Sequence, residues 1–309
     1  MLIVLNKHAN NGKGFRKWKK SRPELEGKCL GHNYRLISDW NDLRQRLNWE
    51  VTRGEKVFVA AGGDGTVNFL LNQIMDFNEE ERRQLVLGAI GLGSSNDFHK
   101  PFSKEKCVNG QVQFKLDYEH GHQHNVGQVD FEDADGQWQR KYFIINCSIG
   151  IIAQANCLFN SDEKAVKWLK SRWVLGTIWY VALKTIFSAQ NIPAQLQIGE
   201  KNVKTEVTTL SIVINPHFSG NLCYDFDVSP QSPFFAIALC ERMNTLERLN
   251  TIYSLARSKF RGLPKTRAWK AQRVEISPAF PTPLELDGEV YLARKINIRL
   301  LKGALRVCQ

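Results

Sequence analysis

No stretch of the 309-residue sequence is apolar for long enough to cross a membrane. A helical span takes about 20 residues, and the most apolar long segment, 173–187, is interrupted by Gly176, Thr177 and Lys184. The opening run Met1-Leu2-Ile3-Val4-Leu5 is too short for a signal peptide, and no basic segment precedes it. No CxxC pair occurs. Seven cysteines at wide spacing, an odd number, argue for reduced and mostly buried thiols in a cytosolic protein rather than a disulfide framework. There is no internal repeat and no low-complexity linker. The absence of GxxxxGKS/T excludes a P-loop, and the absence of GxGxxG after the first strand weakens a dinucleotide-binding reading. No RNP, zinc-finger or helix-turn-helix signature accompanies the positive charge, so nucleic acid is not the expected partner.

What is present is ordinary globular composition, 43% apolar and 24% charged, in a chain long enough for about two domains. The net charge of +11 suggests an anionic partner, such as nucleotide phosphate or an acidic membrane surface. Over the first hundred residues, strand and helix signals alternate. Leu2–Leu5, Tyr34–Ser38, Lys56–Ala61 and Leu85–Ile90 read as strands. Leu43, Leu47 and Val51 fall at helical spacing, as do Val67, Leu70, Leu71, Ile74 and Met75. This alternation predicts a parallel sheet covered on both sides. Beyond about residue 110 the texture becomes β-rich, with strands expected at 114–117, 125–131, 142–147, 195–199, 205–215 and 234–239. One helical insertion is expected over Glu163–Ala189, and two closing strands over Val290–Val307, broken at Lys302-Gly303.

Chemistry concentrates in two glycine-rich turns. The strand ending at Ala61 runs into Gly62-Gly63-Asp64-Gly65-Thr66-Val67-Asn68, with a helix following at once. Backbone N–H groups at such a helix start, unobstructed by Cβ atoms, approach phosphate oxygens closely. Thr66 and Asn68 add polar side chains, and Asp64 adds a carboxylate where a Mg²⁺ carried on nucleotide phosphates needs one. The next strand ends in Gly91-Leu92-Gly93-Ser94-Ser95-Asn96-Asp97-Phe98, and loops at the carboxyl ends of adjacent parallel strands line one crevice.

These motifs resemble the diacylglycerol kinase catalytic-domain family, in particular its bacterial lipid kinases, and the related sphingosine and ceramide kinases. GGDGT at 62–66 and LGSSNDF at 92–98 match its two signature loops, with Ser94 in place of a usual Thr. Residues 6–14 (NKHANNGKG) look like a degraded form of its Asn-Pro-x-Ser-Gly loop, which carries Asn6 and Asn10. Ser38 stands where the family has a nucleotide-contacting Thr, and Leu286-Asp287-Gly288-Glu289 matches a late DGE motif. The resemblance implies an N-terminal α/β nucleotide-binding domain with a parallel sheet (1–115), a C-terminal β-sandwich lipid domain (116–290) and a tail (291–309) returning to the first. It implies ATP and Mg²⁺ as cofactors, with Gly62, Gly63, Asp64, Gly65, Thr66, Asn68, Ser94 and Asn96 at the nucleotide. Asp64 and Asp97 would hold the metal, and Asp287 with Glu289 would activate a lipid hydroxyl. Asp287-Gly288 is equally a strong hairpin-turn signal. The sequence departs from the family at Lys7, at Phe69 (usually Glu), at Asn125 (often Asp) and in the thin glycine segment 215–222. It departs again at Ser232-Pro233, where an Asp-Gly pair holds a structural Mg²⁺ in some bacterial members.

Two further segments bear on the partner. Lys164, Lys167, Lys170 and Arg172 alternate with Trp168, Trp173, Trp179 and Tyr180, which suits a helix at a lipid headgroup layer. Residues 257–273 hold seven cations, no acid and Trp269, read as a basic loop facing an anionic membrane. His120, His122 and His124 alternate on one strand face, which reads as solvated rather than metal-binding. The expectation is therefore a cytoplasmic, peripherally membrane-associated kinase. Its acceptor would be a membrane lipid of diacylglycerol, sphingoid or phosphatidylglycerol type, with a homodimer left open. The rivals are an NAD kinase-like enzyme, which shares GGDGT, and a nucleotide-sensing membrane-binding protein with weak catalysis.

Overall fold

The computed structural model describes residues 1–161 and 163–309; the side chains of Lys167, Ser171, Val174 and Leu175 also lie outside the description. The chain forms two compact units, one of residues 1–124 with 303–309 and one of residues 125–302.

In the first unit, strands β1 (Leu2–Leu5), β2 (Arg35–Ile37), β3 (Val57–Gly62) and β4 (Val86–Gly91) lie in the order β2-β1-β3-β4, all parallel. The crossovers carry helices α1 (Lys13–Leu25), α2 (Leu43–Thr52) and α3 (Asp64–Met75). The far side of β4 is shared. The strand Val112–Lys115 runs antiparallel along its end, and the last residues of the Ile296–Val307 strand run parallel along its start. Every residue of β1, β3 and β4 is buried, as expected of strands covered on both faces. Val67, Leu70, Leu71, Ile74 and Met75 form the buried stripe of α3, and Leu43 and Leu47 that of α2. Trp18 and Leu25 of α1 join Ile3, Leu5, Val59 and Ala61 in one apolar cluster.

The second unit is a β-sandwich. Thr282–Leu286, Asn146–Gly150, Lys201–Val213, Phe235–Glu241 and Thr266–Ala271 form an antiparallel run. The start of the long 201–213 strand pairs instead with Ile192–Ile198, which continues to Arg273–Pro278 and then to the 296–299 stretch. Inward side chains from both layers, among them Phe131, Phe143, Ile149, Leu210, Ile237, Ile276, Leu284 and Ile298, form the core.

Four sequence expectations change. The single helix expected over 163–189 is two, Lys164–Arg172 and Val174–Ser188, separated where Trp173 turns extended, and a further helix, Ile151–Asn160, precedes them. The basic stretch 257–273 is not a loop throughout: it includes the Thr266–Ala271 strand, because Arg267, Trp269 and Ala271 alternate in a ladder with Phe235–Glu241. The closing strands break at Arg294-Lys295, and Gly303 is absorbed into a continuous strand. The three histidines do not share one environment: His120 is exposed beside Asp117, whereas His124 is buried.

Candidate functional site

The chain leaves β1 towards β2 on one side and returns as β3 on the other. The ends of β1 and β3 are therefore a topological switch point, where open α/β sheets place ligands. Both ends carry predicted site residues. Asn6 follows β1; its N–H donates to the Ala61 carbonyl (2.9 Å) and its Nδ2 to the Thr66 hydroxyl (3.1 Å). Asn10, Asn11 and Gly12 then take left-handed conformations in succession before α1 begins, and the Asn10 Oδ1 is buried without a hydrogen-bond partner among the described residues. A Cβ on Gly14 would lie 2.9 Å from the Leu92 carbonyl, so the first loop packs directly on the third.

The two glycine turns form one structure. A Cβ on Gly93 would sit 2.5 Å from the Gly63 Cα, and one on Gly62 only 2.1 Å from the Thr66 hydroxyl. The Leu92 N–H donates to the Gly62 carbonyl (2.7 Å). Asp64, in the first turn of α3, accepts from the backbone N–H groups of Asp97 and Phe98, both at 3.0 Å. Asn96 is left-handed, and its Oδ1 accepts from the Gly93 N–H at 2.9 Å. Gly65 lies in the first turn of α3, where amides lack intrahelical partners. Ser94 is exposed at the tip of the 92–98 loop, and Ser38 is half-buried just after β2.

Other candidates are turned to structural tasks. Asn68 is buried and its Oδ1 accepts from Asn72 one helical turn on (3.1 Å). Asp97 is buried against Lys100 (2.7 Å) and accepts from the Ser95 hydroxyl (2.7 Å). Lys100, which sequence reasoning passed over, therefore neutralises Asp97; the i,i+3 spacing of acid and base was the available signal. Phe69 stacks on Trp40, with centroids 4.7 Å apart, and Trp40 donates to the Leu5 carbonyl.

In the second unit, Leu286 pairs with Glu289 across a two-residue turn, Asp287-Gly288, with φ of 50° and 95°. Both positive values match the turn that hairpins favour and explain the Asp-Gly sequence. The Asp287 carboxylate is buried and accepts from three backbone N–H groups, Ile144 (2.8 Å), Ile145 (2.9 Å) and Asn146 (2.9 Å). Glu285, missed in the sequence, is 2% exposed. It accepts from the Ser148 hydroxyl and from the Gly288 N–H, each at 2.6 Å, so it pins the turn from inside. Its signal was a carboxylate inside the apolar run Leu284-Glu285-Leu286. Glu289 differs: it keeps an exposed surface and accepts no hydrogen bond from a described residue. Desolvation still raises its carboxyl above the ordinary range, and its charge helps to raise the Tyr291 phenol. Asn125 donates through Nδ2 to the Ser232 carbonyl (2.6 Å), and its N–H bonds Pro230 (2.8 Å). An amide there closes directly onto a carbonyl that an Asp would reach only through a cation.

Residues 1–128 match the model of the diacylglycerol kinase catalytic domain. That match takes in β1 to β4 and both glycine turns, and marks the first unit as similar to that domain. A diacylglycerol kinase of Staphylococcus haemolyticus (strain JCSC1435) is 22% identical over 256 residues, covering 83% of this chain and 72% of its own. A relative from Bacillus subtilis (strain 168) is 20% identical over 310 residues, 99% of this chain and 98% of its own. Among solved structures, a diacylglycerol kinase of Bacillus anthracis str. Sterne covers 99% of this chain and 95% of its own, with a TM-score of 0.65 at 15% identity. A second structure from that organism reaches a TM-score of 0.71 at 16% identity, covering 99% of this chain and 94% of its own. The α/β-plus-sandwich fold of the chain is thus that of known diacylglycerol kinases.

Proposed function

We propose that the protein is a lipid kinase that transfers the γ-phosphate of ATP to a hydroxyl of a membrane lipid. The observation that carries this reading is the fusion of the loops after β1, β3 and β4. Asn6 is bonded to Thr66, Gly63 is packed on Gly93, and Asp64 holds the amides of Asp97 and Phe98. Phosphoryl transfer asks mainly for positioned phosphates, neutralised charge and an aligned hydroxyl. The backbone of Gly62, Gly63 and Gly65, the Thr66 hydroxyl and the exposed Ser94 supply the cradle. Asn6, Asn96 and Asn68 hold its walls, and the unpartnered Asn10 Oδ1 offers an acceptor beside it.

Of the two carboxylates first assigned to Mg²⁺, Asp64 fits the task. Its oxygens accept from backbone N–H groups, and it remains the carboxylate that would meet a metal-bound water. Asp97 fits poorly, since its charge is matched by Lys100. Bound there with ATP, Mg²⁺ would supply neutralisation of the phosphate charge. Between Asp287 and Glu289, the latter is the proton acceptor for the lipid hydroxyl. It is unbonded and its raised pKa suits a base, while Asp287 shapes the turn.

Contact with the bilayer falls to the helix Val174–Ser188. Trp179, Leu183 and Phe187, spaced four residues apart, are 61%, 44% and 67% exposed. Trp168 and Trp173 are exposed as well, with Arg172 over the Trp168 ring at 4.3 Å. An aromatic stripe flanked by cations fits the headgroup layer of an anionic membrane. Among the described residues no helix is long and apolar enough to span it.

The decisive experiment incubates the protein with γ-labelled ATP, Mg²⁺ and vesicles carrying diacylglycerol, a sphingoid base or phosphatidylglycerol, with NAD as a parallel acceptor. Label in one lipid supports the reading. Label in NAD, or ATP binding without transfer to any acceptor, overturns it.

A further inference from the structure

The first unit holds a group of lysine and histidine side chains that the glycine turns do not use. Its centre is the ring of Phe98. Lys115 Nζ lies 4.9 Å from the ring centroid, His99 packs edge-on at 5.8 Å, and His124 lies at 6.3 Å with His122 a further 6.3 Å beyond. Lys115 stands opposite Ala89 of β4. Lys106 is near enough that its charge acts on Lys115, and both lysines act on His122.

What the group lacks is an acid. Among the described residues no carboxylate pairs with Lys115: Asp117, two residues on, is bonded to His120, and Asp97, beside Phe98, is bonded to Lys100. An ammonium mostly removed from water without a counter-charge is costly. Its pKa is accordingly pulled down to about 8, by desolvation first and Lys106 second, with the Cys308 thiol alone acting the other way. The His99 Nδ1 is buried and has no hydrogen-bond partner among the described residues. An unneutralised lysine, a second lysine, a half-buried histidine and an orphaned ring nitrogen together make the environment that a dianion completes.

We propose that Lys115, Lys106, His122 and His99 form a binding site for a phosphate-type dianion. The site is separate from the glycine turns and linked to them through Phe98, whose amide is held by Asp64. The shared chemistry is a phosphate monoester or free phosphate, and the source is either a phosphorylated lipid or phosphate in solution.

The test is calorimetric titration of the full chain with inorganic phosphate while a non-hydrolysable ATP analogue saturates the glycine turns. Analogue binding is measured separately, so a failure of the nucleotide reading is seen on its own. Wild type should bind phosphate. Lys115→Met should weaken it by about tenfold or more, Lys106→Met and His122→Gln by less, and Lys115→Arg should retain it. If Lys115→Met does not fold, Lys106→Met and His122→Gln carry the comparison. A second arm compares flotation on phosphatidylcholine vesicles doped with phosphatidic acid, a monoester, or with phosphatidylglycerol, a diester. Preference for phosphatidic acid that is lost with the lysine variants assigns the lipid source. Phosphate binding without that preference assigns the soluble one. Undiminished phosphate affinity in the lysine variants, or complete competition by the ATP analogue, overturns the proposal.

Discussion

Replacing Asp287 by Asn and Glu289 by Gln should have opposite consequences if the two carboxylates of one hairpin turn divide the work as proposed. Asp287 is buried and collects three backbone N–H groups, from Ile144, Ile145 and Asn146. Asparagine keeps the shape but removes the charge, and it turns an NH₂ towards at least one of those donors. Charge-assisted bonds contribute about 1.5–3 kcal/mol each, and a stranded buried donor costs about 1–3 kcal/mol. Losing one bond outright and weakening the others gives about 3–5 kcal/mol of destabilisation. At about 2–4 °C per kcal/mol this lowers the melting temperature by about 6–20 °C. Glu289→Gln loses no hydrogen bond to a described residue and should melt within about 2 °C of wild type, yet it should lower kcat by about 100-fold or more with nucleotide affinity intact. Desolvation raises the Glu289 pKa, so wild-type activity should fall as pH drops through a value above that of an ordinary glutamate. The measurements are differential scanning fluorimetry of both variants and initial rates across pH. An Asp287→Asn protein as stable as wild type, or a Glu289→Gln protein with undiminished turnover, would refute this division of labour.

Two further perturbations probe the nucleotide side. Gly93→Ala puts a Cβ 2.5 Å from the Gly63 Cα. The turns must part by about 1 Å, and misplacement of that size should cost about 100-fold in kcat/KM for ATP; unchanged kinetics would show that the contact is slack. Burial depresses the His99 pKa from 6.5 to about 3, so its contribution to stability is present above pH 6.5 and lost as pH falls towards 3. Denaturant unfolding at pH 5.5 should show wild type losing about 1.4 kcal/mol more than His99→Gln relative to neutral pH, whereas parallel curves would place His99 in water.

The glycine turns were legible in the sequence because their requirement is local. A strand that must turn at once into a helix against another backbone needs glycine at 62, 63 and 93, and the packing at those positions shows why. The apolar stripe of α3 and the Asp-Gly hairpin were legible for the same reason. What stayed hidden depends on partners far along the chain. The Asp64 carboxylate is directed at amides more than thirty residues away, and that of Asp287 at amides of residues 144–146. Spacing alone cannot distinguish such a carboxylate from a metal ligand or a base. The run of cations at 257–273 masked a strand, because Arg267 and Lys270 stand on opposite faces of the ladder and break the apolar alternation that Trp269 and Ala271 would otherwise show. The three histidines likewise separated according to depth, which alternation does not encode.

Hydrogen–deuterium exchange with and without ATP and Mg²⁺ tests the central claim most directly. The loops at 6–14, 62–68 and 91–98 should gain protection together and at the same nucleotide concentration. Protection confined to one of them, or absent from all three, would contradict a single phosphate site built from their union.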